Sequence, residues 1–186
     1  MVLQEKDYIK KQKDKYLKGT IFWTALVIGI FVCGLIVMGK RESYFTVFAG
    51  VLVVGAALNV TRLIGFGKYK DGNEKWAVIL EKMKGSFDIF HSAIIPDSRG
   101  TVYFEHVVVT SRGIYFISYD EACVKKNRLW LENKMQSKGL EMKQIHVVTV
   151  STEIEMKNLA AKIEREALVT SGKQNEFATI INSMLM

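Results

Sequence analysis

Two long apolar segments stand out in the first third of the chain. Residues 20–39 include no charged side chain, and a helix of that length rises about 30 Å, the thickness of the hydrocarbon core of a bilayer. A second apolar segment, residues 44–64, has one base near its end, Arg62. There the side chain can reach the headgroups, whereas at a helix centre it would cost about 2.5–3.5 kcal/mol. The pattern predicts two membrane spans, and buried core helices of a soluble protein are the less favoured interpretation.

Residues 40–43 are too short a connection for anything but an antiparallel pair of spans. Six lysines precede the first span, Lys40 and Arg41 lie between the spans, and four bases lie at or after the end of the second: Arg62, Lys68, Lys70 and Lys75. Because basic loops stay on the cytoplasmic side, the sequence predicts a multi-pass protein of the cell membrane with both termini in the cytoplasm. The lysine-rich start also fits contact with the anionic lipid of the bilayer, although a topology signal alone is the simpler interpretation. Small residues are expected to allow close helix packing, within one chain or in a homodimer, at Gly29, Gly34, Gly50 and Gly55.

The remaining residues alternate between helical and strand patterns. The predicted elements are a helix at 71–85, strands at 87–95, 101–109 and 114–119, a helix within 120–141, a strand at 145–150, and helices at 152–169 and 173–185. This order, α-β-β-β-(α)-β-α-α, predicts an α/β (α+β) domain with a mixed sheet covered by helices. The predicted organisation is a basic segment at 1–18, two transmembrane helices within 19–66, and a cytoplasmic domain at 67–186.

Composition and charge narrow the function classes. The chain of 186 residues has 26 Lys and Arg against 19 Asp and Glu, a formal charge of +7. Residues 1–18 hold six of the lysines, beside an apolar segment, so the excess supports nucleic acid as a partner only weakly. Two cysteines, of which Cys33 lies in the first span, cannot build a disulfide framework.

Four short segments resemble the NERD (nuclease-related domain) family. In order along the chain they are GNE at 72–74, FDIFHSAIIP at 87–96, EHVVV at 105–109 and GIYFI at 113–117. The resemblance implies a restriction-endonuclease-like fold. In such nucleases two carboxylates hold Mg²⁺, and a lysine activates water or stabilises charge on the phosphate.

The chain departs from that family at the residues that do the chemistry. The Asp of the family's second strand corresponds to Glu105, and its Glu-x-Lys falls on Ser118, Tyr119 and Asp120. A hydroxyl thus replaces a carboxylate, and an acid replaces the lysine, while Glu74 is retained. The resemblance therefore implies a degenerate domain that works without a cofactor, Mg²⁺ being implied only if it is active.

The turn after the second predicted strand fixes a geometry of its own. If Thr110 pairs with Gly113, counting back places Glu105 opposite Ser118, with Cβ atoms about 5 Å apart. Asp120 becomes a diagonal neighbour of Glu105, and a hard cation prefers such oxygens. Glu105 and Asp120 are therefore the candidate metal ligands, and with Glu74 they are the candidate catalytic residues. The bases that follow are candidates for phosphate contacts: Lys125, Lys126 and Arg128.

Each of these residues also has a structural interpretation. Glu105 is then a half-buried strand acid paired with a base, Ser118 a small residue at the core edge, and Asp120 the cap of the next segment. The histidines at 91, 106 and 146 lie in apolar strands and are expected to be packed rather than to bind metal.

Three hypotheses on function remain open. The first is a membrane-tethered nuclease-like domain without activity that acts as a binding or assembly module. The second is an active Mg²⁺-dependent nuclease with migrated ligands at Glu74, Glu105 and Asp120. The third is a small subunit of a membrane complex that docks another membrane protein.

Overall fold

The computed structural model describes residues 1–39, 44–97, 100–168 and 173–185. The chain forms two compact units. The α/β unit comprises Met1–Tyr8 and Asp71–Met186, and the hairpin unit comprises Ile9–Lys70. This division differs from the predicted one, because the first eight residues belong with the C-terminal part of the chain and not with a separate basic segment.

The hairpin unit contains the two longest helices, α1 (Tyr8–Met38) and α2 (Tyr44–Gly67). Both are long and apolar enough to cross a membrane, and 6% of the apolar window of each is buried. Helix α1 begins twelve residues before the predicted span because its first turns are rich in lysine, which favours helix. The predicted connection at residues 40–43 lies outside the described residues.

Helices α1 and α2 pack against each other in antiparallel order. The rings of Tyr16 and Phe66 stack with centroids 5.8 Å apart. Further along the pair, Gly55 of α2 faces Trp23 of α1, and a Cβ on Gly55 would lie 2.9 Å from the indole ring. The glycine therefore allows the two helices to approach closely at this point. Of the glycines expected to pack, Gly55 is thus confirmed, whereas Gly29 and Gly50 have no atom within 4 Å of such a Cβ.

The α/β unit is built on a five-stranded mixed sheet in the order β1-β2-β3-β4-β5. The outer pairs β1–β2 and β4–β5 are parallel, and the inner pairs are antiparallel. The strands are β1 (Val2–Gln4), β2 (Phe87–Asp97), β3 (Gly100–Thr110), β4 (Ile114–Ser118) and β5 (Ile145–Thr149). The helices are α3 (Glu74–Glu81), α4 (Glu121–Gln136), α5 (Glu153–Ala167) and α6 (Lys173–Asn182), with a short 3₁₀ turn at Met142–Gln144.

Two apolar clusters cover the two faces of this sheet. On β4, Ile114 and Phe116 belong to one cluster, while Tyr115 and Ile117 belong to the other, as the alternation of side chains along a strand requires. Helices α4 and α6 close the first cluster, and α3 and α5 close the second. The predicted mixed sheet between helices is therefore confirmed.

The pairing of β3 with β4 follows the predicted register. His106 pairs with Ile117 and Val109 with Ile114, which continues to Glu105 opposite Ser118. Side-chain caps fix the starts of three helices: Asn73 before α3, Asp120 before α4, and Thr152 in a capping box with Glu155 before α5. These caps satisfy backbone N–H groups that have no partner within the helix.

The sequence pattern missed one strand and misplaced several ends. Strand β1 has only three residues, and its partners in β2, Ile89 and Phe90, lie far along the chain. Strand β2 runs two residues beyond its predicted end, through Pro96 and Asp97. The predicted turn at 96–100 is therefore shorter, and residues 98–99 of it lie outside the described residues. Helices α3 and α6 end before their predicted limits, at Glu81 and Asn182.

Candidate functional site

The three candidate carboxylates lie in different surroundings. Glu74 is the first residue of α3, and its side chain is 76% exposed. Its Oε1 accepts a hydrogen bond of 2.8 Å from Nζ of Lys6. That hydrogen bond and the ammonium charge lower the pKa of Glu74. Glu74 is thus an exposed carboxylate with a basic partner on the N-terminal segment.

Glu105, by contrast, is 2% exposed in the middle of β3. The Ser118 hydroxyl and the backbone N–H of Tyr119 donate hydrogen bonds to its carboxyl, while Oε2 has no hydrogen-bond partner. Burial raises the pKa of Glu105, and these hydrogen bonds, together with one from its own backbone N–H, oppose that shift only in part. The expected base beside Glu105 is not its partner, because the contact across the β3–β4 pair is with a serine.

Asp120 caps α4, as its structural interpretation predicts. Its Oδ1 accepts a hydrogen bond of 3.0 Å from the backbone N–H of Cys123, and the residue is exposed. Its charge contributes to the raised pKa of Glu105, so the two carboxyl groups are near each other. One of them is buried and held towards its neutral form, and the other faces solvent.

A magnesium ion needs several oxygen ligands in near-octahedral geometry. Within residues 1–39, 44–97, 100–168 and 173–185, no group of three or more His, Cys, Asp or Glu side chains is arranged to hold a metal ion. Two of the three candidate carboxylates have other partners, Glu74 with Lys6 and Asp120 with the backbone N–H of Cys123.

The three bases predicted to contact phosphate differ in their contacts. On α4, Lys125 pairs with Glu121 at 2.7 Å and Arg128 pairs with Glu132 at 2.8 Å. Lys126 instead lines an open groove of about 630 Å³. The groove is also lined by Asp120, Cys123, Asn127 and Trp130. Two of the three bases thus have acidic partners on their own helix.

Sequence reasoning did not find the most unusual feature of the sheet, a buried band of polar residues across β2 and β3. It consists of His91, Ser92, Glu105 and His106, and none of them is more than 2% exposed. His91 pairs with His106 across the two strands. Histidines opposite each other follow from counting back along the β2–β3 hairpin, and this signal was available in the sequence.

The side-chain alternation shifts by one residue at this band. In β2, Phe90 and Ala93 belong to the same apolar cluster although they are three residues apart, and in β3 the same holds for Phe104 and Val107. Ser92 lies at the shift with φ of 56°, a conformation that is uncommon for residues other than glycine. At the polar band, the pattern of which residues face each side of the sheet therefore shifts by one position in both strands.

The two histidines of the band face each other directly. Their Nδ1 atoms are 2.8 Å apart. In one ring Nδ1 must therefore donate the hydrogen bond, and in the other Nδ1 must accept it. Burial lowers the pKa of His91, and burial together with the neighbouring His91 lowers the pKa of His106 to about 3. Both are packed histidines, as expected, and both are neutral at pH 7.

The outer nitrogens of the histidine pair face α3. Nε2 of His91 lies 3.3 Å from Oε1 of Glu81, and this contact opposes the lowering of the His91 pKa. A hydrogen bond to the backbone of Asn73 opposes the lowering of the His106 pKa in the same way. The pair thus contacts α3 and the residue that caps it.

The loop before α3 closes the band from solvent. The backbone N–H of Gly72 donates a hydrogen bond of 3.0 Å to Oγ of Ser92, and a Cβ at Gly72 would lie 2.9 Å from the carbonyl oxygen of Glu105. On the other side, Nε2 of Gln4 in β1 donates to the carbonyl of Ser92 at 3.2 Å. The arrangement is a closed polar cluster whose histidines and carboxyl can titrate, and not an open cleft for a substrate.

The chain matches no protein-family model, and neither the curated proteins nor the solved structures compared with it gave a significant match.

Proposed function

We propose that the chain is a two-span protein of the cell membrane whose α/β unit acts in the cytoplasm as a binding or assembly module, and not as a nuclease. The proposal that the unit is not a nuclease rests on Glu105, which is buried, accepts a hydrogen bond from Ser118 and has a raised pKa. A metal-binding carboxylate must be ionised and accessible to the metal. Asp120 is used as a helix cap and Glu74 as the partner of Lys6.

The surface of the hairpin unit supports insertion into a membrane. Its large apolar side chains face outward, with Phe48 at 65% and Ile36 at 77% exposure. A soluble protein rarely exposes a continuous apolar surface of this extent, whereas hydrocarbon is a suitable solvent for it.

The N-terminal strand supports the predicted orientation. Strand β1 precedes the first helix of the hairpin unit, and its partner β2 follows the second helix. The two strands can pair only if both flanks of the hairpin lie on the same side of the membrane. Two spans meet this condition, and the bases that flank them favour the cytoplasmic side.

Topology can be tested with single cysteines. In a Cys33→Ser, Cys123→Ser background, Ser43→Cys marks the connection between the spans, and Ser137→Cys marks an exposed position after α4. A membrane-impermeant thiol reagent applied to intact cells should label Ser43→Cys at once and Ser137→Cys only after lysis. Labelling of Ser137→Cys in intact cells, or a chain that stays in solution without detergent, would refute the proposal.

The absence of nuclease activity is tested with the full chain in mild detergent. Labelled DNA and RNA are incubated with the protein and Mg²⁺ or Mn²⁺, and no turnover above the blank is expected. The control variant is Glu105→Gln, because its amide oxygen can still accept hydrogen bonds from Ser118 and Tyr119. Since this change removes a buried carboxyl with a raised pKa, the variant should fold at least as stably at pH 7. Turnover by the wild type that disappears in a folded Glu105→Gln variant would reject the proposal.

A further inference from the structure

The basic excess of the chain lies entirely in the hairpin unit. Residues 9–70 include 10 Lys and Arg against 2 Asp and Glu, while the α/β unit has 16 against 17. Eight of the ten bases are in the described part, and all eight lie at one end of the antiparallel helix pair: Lys10, Lys11, Lys13, Lys15, Lys18, Arg62, Lys68 and Lys70. Asp14 is the one acid in the described part of this unit.

Contacts between α1 and α2 fix the depth of Arg62. Its guanidinium carbon lies 5.5 Å from the ring centroid of Tyr16, and Tyr16 is four residues before the uncharged segment at 20–39. Arg62 therefore lies about 6 Å outside that segment along the helix axis. This is the headgroup layer of a bilayer, where a phosphate is the natural partner of a guanidinium.

A second cation lies beside the same ring. Nζ of Lys15 is 5.9 Å from the Tyr16 centroid. For neither Lys15 nor Arg62 does a described carboxylate lie within ion-pair distance. Lys13 differs, because its ammonium donates to the carbonyl of Tyr69 at 2.6 Å. Two unpaired cations around one aromatic ring form a site with an excess of positive charge.

The exposed side of α1 extends this site towards the membrane. Lys15, Lys18 and Phe22 are separated by three and four residues, so they lie on one helix face. Both lysines are exposed, and Phe22 is 61% exposed within the apolar segment. The two lysines thus lie one and two helical turns from an exposed apolar side chain on the same helix face.

We propose that Lys15, Lys18 and Arg62 bind the phosphate of an anionic phospholipid at the cytoplasmic surface of the membrane. Arg62 offers a planar fork that matches phosphate oxygens, and Tyr16 holds it in place. The two lysines add ammonium donors, and Phe22 contacts the chains of the same lipid. The inference rests on the proposed membrane insertion and names the lipid class that the hairpin unit prefers.

The experiment measures lipid binding to the full chain in detergent by native mass spectrometry. Phosphatidylglycerol and phosphatidylcholine with identical acyl chains are the probes. The wild type should bind phosphatidylglycerol about tenfold more tightly, and Lys15→Gln and Arg62→Gln should each reduce this preference about fivefold. Arg62→Lys keeps the cation without the fork and should fall between the wild type and Arg62→Gln, so it tests the site if Arg62→Gln fails to fold.

Lys162 provides a matched control. Its Nζ lies 5.9 Å from the ring of Tyr115 in the α/β unit, the same distance as in the Lys15–Tyr16 pair, so Lys162→Gln should leave the lipid preference unchanged. Equal binding of the two lipids, equal preference in all variants, or displacement of the lipid by millimolar inorganic phosphate would overturn the lipid site. A chain that needs detergent and shows no preference refutes this inference alone, whereas a chain soluble without detergent refutes the proposed function.

Discussion

The hairpin unit and the α/β unit use the same apolar residue types in opposite ways. In the hairpin unit, Phe48 and Val47 are 65% and 69% exposed, whereas in the α/β unit Phe116 and Ile117 are fully buried. The sequence separates the two cases by pattern: an unbroken run of uncharged residues in one, and short alternating segments between turns in the other. Apolar content alone would not distinguish them.

Charge divides the chain along the same line. The α/β unit has a formal charge of −1, and the hairpin unit has +8. A net charge of +7 for the whole chain resembles that of a nucleic-acid-binding protein, but the excess of bases over acids lies in the unit that contains the two apolar helices. Total charge is therefore informative only after it has been assigned to structural units.

The largest predicted effect compares one phenylalanine in each unit. Phe116→Ala removes a fully buried ring that packs on Phe104, and it should lower the free energy of unfolding of the α/β unit by about 3–5 kcal/mol. Phe48→Ala removes a ring of the same size from the exposed surface of α2, and it should leave that free energy unchanged. Denaturant titration of the full chain in detergent, followed by tryptophan fluorescence, measures both, and equal losses would contradict the comparison.

The second prediction uses pH, to which the two units should respond differently. Residues 9–70 include no histidine, whereas the α/β unit buries His91 and His106. The pKa of His106 is about 3 in the folded state, whereas an unfolded histidine takes up its proton near pH 6.5. The free energy of unfolding should therefore decrease as the pH falls below 6.5, by about 1.4 kcal/mol per pH unit for one proton. His91 shifts in the same direction, with Glu81 opposing and Lys6 favouring the neutral form.

The test compares the pH dependence of unfolding between pH 7 and 5 in the wild type and in His106→Leu. The raised pKa of Glu105 acts in the opposite direction, since its contribution is present at low pH and lost as pH rises. It is common to both proteins, so the difference in slope isolates the histidine. His106→Leu should reduce the slope by about one proton, and an unchanged slope would show that the pair does not titrate as described.

The third prediction concerns the helix caps of the α/β unit. Asp120→Ala removes the acceptor for the N–H of Cys123 and should cost about 1 kcal/mol, while Asp120→Ser should retain most of the stability. Thr152→Ala at the capping box of α5 is the matched change and should cost a similar amount. Membrane insertion should be unaffected in all three variants, and a loss of insertion in any of them would contradict the separation of the units.

Local signals predicted much of this structure. The two apolar runs indicated the two long helices, the Thr110–Gly113 turn fixed the register of β3 with β4, and Thr152 with Glu155 marked the start of α5. Each of these signals lies within a few residues of the feature that it specifies, so a single sequence is sufficient to detect it.

Features that depend on distant partners could not be predicted in this way. Val2–Gln4 is too short to show a strand period, and it becomes a strand only because β2 accepts it. The surroundings of Glu105 depend on the phase shift at Ser92, where strict alternation fails. The candidate metal site assumed that the third predicted strand continued to residue 119, so that alternation would place Ser118 and Asp120 on one face. In the structure Ser118 contacts Glu105 as the register predicts, but β4 ends at Ser118 and Asp120 caps α4.

The position of β1 has a consequence for the order in which the protein is made. Val2–Gln4 leaves the ribosome before either apolar helix, whereas β2 is translated after both. The first strand must therefore remain without its partner until both long helices and β2 have been translated. Completion of the sheet by β1 is thus possible only late in synthesis, and a chain that ends before β2 would leave Val2–Gln4 with no strand to pair with.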